Sequence, residues 1–306
     1  MTTFLDYARR GRTAWWRYPL CLALFAVLAV AITFLVLLPP AILHWLPADL
    51  AQEVQHPTNA VIFFAVVGVQ FAALIAGLLL AALIVHRKGF GDLIGAWRWP
   101  AFAAGAGVWA VIVTGLTLID VVLAPHGFRY TAGSGTPGFA LMALLGLAPQ
   151  TFAEEFIFRG YITQALLLAI KRPAPTAIVS GLIFAAFHIP NGWPQAAYAL
   201  GFGIAMALVA IRTGSLAFGA GVHLLNNLFD SVVVVSDDDV FHGLTGLFSE
   251  HAHHLVWFDT LFGALALAPV VWLAYRPPAW LRPWIAAPVQ EPVAEAPNRR
   301  GPGSTA

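Results

Sequence analysis

Residues 137–170 read PGFALMALLGLAPQTFAEEFIFRGYITQALLLAI, and the charges inside this apolar run decide how the chain is to be understood. Near the bilayer centre an acidic or basic side chain has an insertion cost of about 2.5–3.5 kcal/mol, so charges retained there usually face a protein interior and serve some purpose. On a helix Glu155 and Arg159 are four apart and share a face, with the acid before the base, the better order for an ion pair. Glu154 is turned about 100° away from Glu155. Pairing can therefore neutralise one carboxylate and leave the other pointed elsewhere. Pro149, about one turn earlier, removes a backbone donor and favours a kink. The residues alone allow one long tilted helix or two helices broken near Pro149.

The remainder of the chain places this run in a membrane. Of 306 residues 59% are hydrophobic and only 10% charged, and the mean hydropathy is +0.78. A soluble domain carries about a quarter charged residues. The net charge of +1 offers no footprint for nucleic acid. The single cysteine, Cys21, allows no internal disulfide and no Cys-rich metal site, and reads as a small buried hydrophobe.

A bilayer core about 30 Å thick takes roughly 20 apolar residues in a helix. Eight candidates follow: about 19–38, 60–85, 102–122, the run just quoted, a helix ending near His188, another ending near Ala210, 215–235 and 255–274. Pro190, Gly192 and Pro194 mark the turn after His188. The first candidate is too long for a secretory signal and lacks a cleavage site before Pro39, so it reads as a retained anchor. Residues 89–100 mix apolar and charged side chains and predict a short helix on the cytoplasmic surface.

Arginine and lysine alternate with the loops. Arg9, Arg10, Arg12 and Arg17 precede the first span, and Arg87, Lys88, Arg98, Lys171, Arg172, Arg212, Arg276 and Arg282 follow the even-numbered ones. The opposite loops hold Asp49, Glu53, Arg129, Asp237, Asp238, Asp239 and Glu250. This is the positive-inside pattern for both termini cytoplasmic. The expected fold is thus all-α, a polytopic bundle of about eight transmembrane helices. Its domains are a basic cytoplasmic N-terminus at 1–17, a membrane domain at 18–275 with a catalytic core at about 137–231, and a cytoplasmic tail at 276–306. The Pro, Glu, Asn and Gly content from about 288 predicts partial disorder in that tail.

Three further sets of polar side chains interrupt the spans. His188 ends an uncharged helix and shares a face with Phe184; a histidine so placed most often donates to a carbonyl. His223 and Asn227 are one turn apart on a single face, where the modest alternative is interhelical hydrogen bonding. Asp120, Asp230 and Asp259 lie near helix ends and read as interfacial or structural. A carboxylate, two imidazoles and a carboxamide together supply a general base, a partner to orient water and donors for a developing oxyanion. Ser180, Ser215 and Ser231 lack a Gly-x-Ser-x-Gly context, so serine catalysis fits poorly. Glu154, His188 and His223 are equally a conceivable zinc set, three protein ligands leaving a position for water. Residue types leave water activated by Glu and His, or bound to zinc, as open alternatives.

Glu154-Glu155-x-x-x-Arg159, Phe184-x-x-x-His188 and His223-x-x-x-Asn227, in this order and each in an apolar helix, resemble the motifs of the CPBP family of membrane proteases, the CAAX prenyl endopeptidase and bacteriocin-processing proteins also called the Abi family. The likeness spans about 137–231. It implies a bundle of eight helices around a cavity, with water activated by Glu154 and His188. It also implies an oxyanion held by His223 and Asn227, and an acidic pair oriented by Arg159 acting with Glu155. The resemblance further implies catalysis without a cofactor, zinc on Glu154, His188 and His223 being the alternative. The substrate it implies is a peptide or protein associated with the membrane; the Ala, Gly and Arg usage looks bacterial, and the expected location is the plasma membrane, as a multi-pass protein. A non-catalytic scaffold or immunity protein, and a transporter, are the competing readings; no inverted repeat supports the latter.

Overall fold

The computed structural model describes residues 3–47, 49, 50, 52, 59–236, 241, 244 and 246–285. The expectations for Glu53, for Asp237, Asp238 and Asp239, and for the tail beyond residue 285 lie outside these residues. The protein is an all-α polytopic membrane protein. Among the described residues seven helices are long and apolar enough to cross a bilayer: Arg17–Ile42, Ala60–His86, Trp99–Leu123, Thr136–Ile170, Pro173–Asn191, Trp193–Thr213 and His253–Tyr275.

We number the helices in chain order: α1 Phe4–Arg9, α2 Arg17–Ile42, α3 Ala60–His86, α4 Phe90–Ile94, α5 Trp99–Leu123, α6 Thr136–Ile170, α7 Pro173–His188, α8 Trp193–Thr213, α9 Ala217–Leu228, α10 Val256–Leu265 and α11 Leu267–Tyr275. The seventh of the eight expected spans, 215–235, is shorter than its hydropathy suggested. Helix α9 widens into a π-turn at Phe229–Val233 and then enters a strand, β2, at Val234–Ser236. Its last residues are a run of β-branched valines, which suit an extended ribbon better than a helix. With β1 (Phe128–Tyr130) and β3 (Phe248–Glu250) it forms a small sheet of order β1-β3-β2, β1 antiparallel and β2 parallel to β3.

Pro149 does not break α6. The helix runs on and changes character at Glu155–Thr163, where it widens to π geometry before resuming at Gln164–Ile170. Thr163 Oγ1 donates to the Phe158 carbonyl five residues back at 2.8 Å, within the wider turn. Such π-bulges recur at functional sites because the extra residue re-aims the side chains around it.

Close backbone contacts bring α9 into the middle of the bundle. A Cβ on Gly105 of α5 would lie 2.0 Å from the Phe218 carbonyl oxygen, and one on Gly221 of α9 would lie 2.0 Å from that of Phe102. Without large side chains α5 and α9 meet backbone to backbone. Gly181 and Gly203 do the same for α7 and α8, a Cβ on Gly203 reaching within 2.7 Å of Gly181 Cα.

The basic end is built as a second layer. Helix α1 begins in a capping box between Thr3 and Asp6 and buries Phe4 and Ala8. Lys88 is itself buried and donates to the carbonyls of Ala8 at 2.8 Å and Tyr7 at 3.4 Å and to Gln164 Oε1 at 3.1 Å, tying α1 to the end of α6. Helix α4, the short element expected at 89–100, turns Leu93 and Ile94 inward and is tied to Arg10 through Asp92 at 3.1 Å. Gly95, at φ +71°, bridges to Ser215 at the start of α9, an approach that leaves no room for a side chain.

Candidate active site

Every charge in the π-turn of α6 finds an opposite partner. Glu155 and Arg159 are 1% and 0% exposed, and Arg159 Nη1 lies 3.2 Å from Glu155 Oε1, as the spacing predicted. The guanidinium also stacks 4.3 Å from the Phe184 ring centre and 5.6 Å from that of Phe202, so aromatic faces take the place of water around it.

His223 of α9 sits between the two glutamates. Its Nδ1 is 2.8 Å from Glu155 Oε1, and its Nε2 is 3.5 Å from Glu154 Oε2. Because Glu155 is engaged as an anion by Arg159, Nδ1 carries the proton and donates. Nε2 therefore faces Glu154. The ring is clamped by Phe202, with centroids 4.7 Å apart, and edge-on by Phe184 at 6.4 Å.

His188 ends α7 on the other side of Phe184, their ring centres 4.4 Å apart, so one aromatic ring contacts both imidazoles. The shared face of Phe184 and His188 is thus borne out. His188 Nδ1 donates to the Phe184 carbonyl at 2.8 Å, which leaves the lone pair of the neutral ring on Nε2.

Asn227 and Asn226 play distinct parts. Asn227 Nδ2 donates to Gln150 Oε1 at 2.9 Å, and Gln150 Nε2 donates to Glu154 Oε1. Asn226 points away, its Oδ1 accepting from Trp109 Nε1 at 3.1 Å and from the Tyr198 hydroxyl at 2.9 Å, its Nδ2 donating to Asp230 Oδ2 at 3.0 Å and to Asn227 Oδ1 at 3.2 Å. Beside Asn226 opens a cavity of about 230 Å³ toward the end of the bundle that bears the sheet. Asp120, Asp230 and Asp259 line it, and Asp120 hydrogen-bonds to Asp259, joining α5 to α10.

The structure therefore brings Glu154, Glu155, Arg159, His223 and Asn227 into one connected cluster, with His188 joined to it through Phe184. Sequence reasoning passed over Gln150, Trp109, Tyr198 and Phe202. Gln150 carried a readable signal, a polar residue one turn before Glu154 in an apolar run. The others sit on α5 and α8, away from the charged run of α6, and gave none. Among the described residues no three His, Cys, Asp or Glu side chains converge as a metal-binding group.

Residues 136–229 match the family model described as type II CAAX prenyl endopeptidase Rce1-like. The chain is 26% identical over 263 residues to a Bacillus subtilis (strain 168) protein described as "Uncharacterized protein YyaK", the match covering 81% of this chain and 87% of that one. No solved structure matches.

Proposed function

We propose, from the premise that residues 136–229 form an Rce1-like domain of CAAX-protease type, that this chain is an endopeptidase acting inside the membrane on a membrane-associated peptide or protein. The observation that carries the reading is the approach of His223 Nε2 to Glu154 Oε2 at 3.5 Å above a buried Glu155–Arg159 pair. A protonated His223 pairs with both carboxylates, and with Arg159 it leaves two positive and two negative charges, a neutral cluster that an apolar bundle can hold.

In this proposal Glu154 is the general base for the attacking water, and His188 Nε2 accepts the second water hydrogen. Attack on the scissile carbonyl forms a tetrahedral oxyanion that His223 Nε2–H and Asn227 Nδ2–H stabilise. Glu154 then returns the proton to the leaving amine. Glu155, held by Arg159, fixes the orientation of the His223 ring that this requires.

Substrate entry from the bilayer is supported by an apolar groove of about 520 Å³ beside His188, lined by Leu182, Ala185, Ala186, Ile189, Trp193 and Trp257. The basic end, with α1, Lys88 and Arg98, faces the cytoplasm in this reading, and the bilayer is the plasma membrane of a bacterium. The experiment that tests the proposal compares membrane peptides, by mass spectrometry, in cells producing the wild type, Glu154→Ala or His188→Ala. Fragments present with wild type and absent with both variants are expected; identical fragments in all three refute hydrolysis by this site.

A further inference from the structure

One face of α5 forms the long wall of the 230 Å³ cavity, with Trp109, Val113, Thr117 and Asp120 lining it. At about 1.5 Å per residue this wall spans about 16 Å, against a bilayer core of about 30 Å. Leu118, the residue after Thr117, faces outward and is 62% exposed. Phe128 of β1, Ser236 of β2 and Glu250 of β3 rim the mouth. The deep end is closed: Trp109 is 1% exposed, and one turn beyond it α5 and α9 are in backbone contact at Gly105 and Gly221. At that end Asn226 accepts hydrogen bonds from Trp109 and Tyr198 on the cavity side. It donates to Asn227, which continues through Gln150 to Glu154.

We propose that this cavity is the well that supplies the hydrolytic water, filled from the end of the bundle that bears the sheet and emptied past Asn226 to Glu154. The proposal rests on the reading of the site as a peptidase. Apolar cavities stay dry, whereas polar groups hold water where each molecule has about 30 Å³. Asp120, Asp259, Asn226 and the Tyr198 hydroxyl offer such groups here, and carboxylates within a span are far less costly where water reaches them. Helix α8 divides this polar space from the apolar groove beside His188. Gln195 and Tyr198 face the cavity; Trp193, Ala196 and Ala197 face the groove. The two reactants thus come from different media, the peptide from lipid through the groove and the water through the well. Closure at the deep end keeps the well from becoming a leak across the bundle.

Cysteine labelling tests the well without turnover, since Cys21 is the only cysteine and Cys21→Ala supplies an unreactive background. In that background Thr117→Cys should react with a charged, membrane-impermeant methanethiosulfonate at least about tenfold faster than Leu118→Cys, because the reactive thiolate forms in water and not in lipid. Right-side-out and inverted membrane vesicles separate the two faces. Labelling of Thr117→Cys should come from the face that labels Tyr130→Cys on the sheet, and not from the face that labels Arg172→Cys at the basic end. Gln150→Cys, beside Glu154, should react from that same face, and adding Thr117→Trp, which fills the well, should slow it several-fold. Val113→Cys and Val113→Trp replace the Thr117 variants if thermal unfolding shows that these do not fold. A Thr117→Cys protein labelled no faster than Leu118→Cys, or only from the basic face, overturns the well. Gln150→Cys unaffected by the filling residue overturns its role as supply. The expected labelling in a protein that cleaves no peptide counts against the proposed activity only, and an unreactive Thr117→Cys in an active peptidase counts against the well only.

Discussion

The guanidinium of Arg159 stands 4.3 Å from the centre of the Phe184 ring while its Nη1 reaches Glu155 Oε1 at 3.2 Å, so this buried cation lies between a carboxylate and a benzene face. Removing one partner of such a pair strands the other charge in a low dielectric. Arg159→Met should lower stability by about 3–5 kcal/mol, whereas Arg159→Met combined with Glu155→Gln should recover most of that loss. Thermal unfolding in detergent checks both, and a double variant no more stable than the single one contradicts the pairing.

Asn227 and Asn226 separate by function. Asn227→Ala should lower peptide turnover by about 10²–10³ with little change in substrate affinity, the pattern of a donor used mainly in the transition state. Asn226→Ala should do less to turnover and more to thermal stability, because Trp109 Nε1 and Asp230 lose a partner inside the bundle. Steady-state kinetics on a peptide identified from the membrane comparison would show the opposite ranking if Asn226 were the oxyanion donor.

Gly221 is a packing determinant of the site. A Cβ there meets the Phe102 carbonyl oxygen at 2.0 Å, so Gly221→Ala must push α9 away from α5 and carry His223 from Glu154. A stability loss of about 1–3 kcal/mol is expected, together with loss of turnover. Gly107→Ala, with open space around it, serves as control and should leave both near the wild type.

Lys88 gives the protein a pH signature. Burial pushes its ammonium down to about 8 from 10.5, Asp92 opposing the shift. Between those two values the folded chain has released the proton and the unfolded chain still holds it, so stability rises with pH across that window. Melting temperatures taken from below pH 8 to about pH 10 should climb for the wild type relative to Lys88→Met. Parallel curves would show that Lys88 titrates alike in both states.

Metal content distinguishes the zinc alternative. The proposed chemistry runs on Glu154 and the histidines themselves, so turnover should survive dialysis against a chelator. Stoichiometric zinc in the purified protein, with activity lost on its removal and regained on its return, would replace Glu154 as the source of the nucleophile.

The sequence disclosed those features whose cause is local. The pairing of Glu155 with Arg159 follows from a four-residue spacing, and the spans follow from length and apolarity. The end of α9 did not, because Val232–Val235 satisfies hydropathy equally as helix or strand and only pairing with β3 decides it. The π-turn at Glu155–Thr163 was equally hidden: Pro149 drew attention to a break that tertiary packing never made. Contacts between distant helices, such as Trp109 with Asn226, depend on close approach at Gly105 and Gly221, and no spacing rule announces them.

The docking of α1 against residues 164–170 sets an order of assembly. Translation delivers α1 long before its seat on α6 exists, and domains form as their parts emerge from the ribosome. Until then Lys88, already made, has no Gln164 to hold, and the amphipathic stub must wait at the membrane surface. Closure of that latch is thus a late event, and a proteolytic site placed within α1 would become protected only after α6 has been synthesised and inserted.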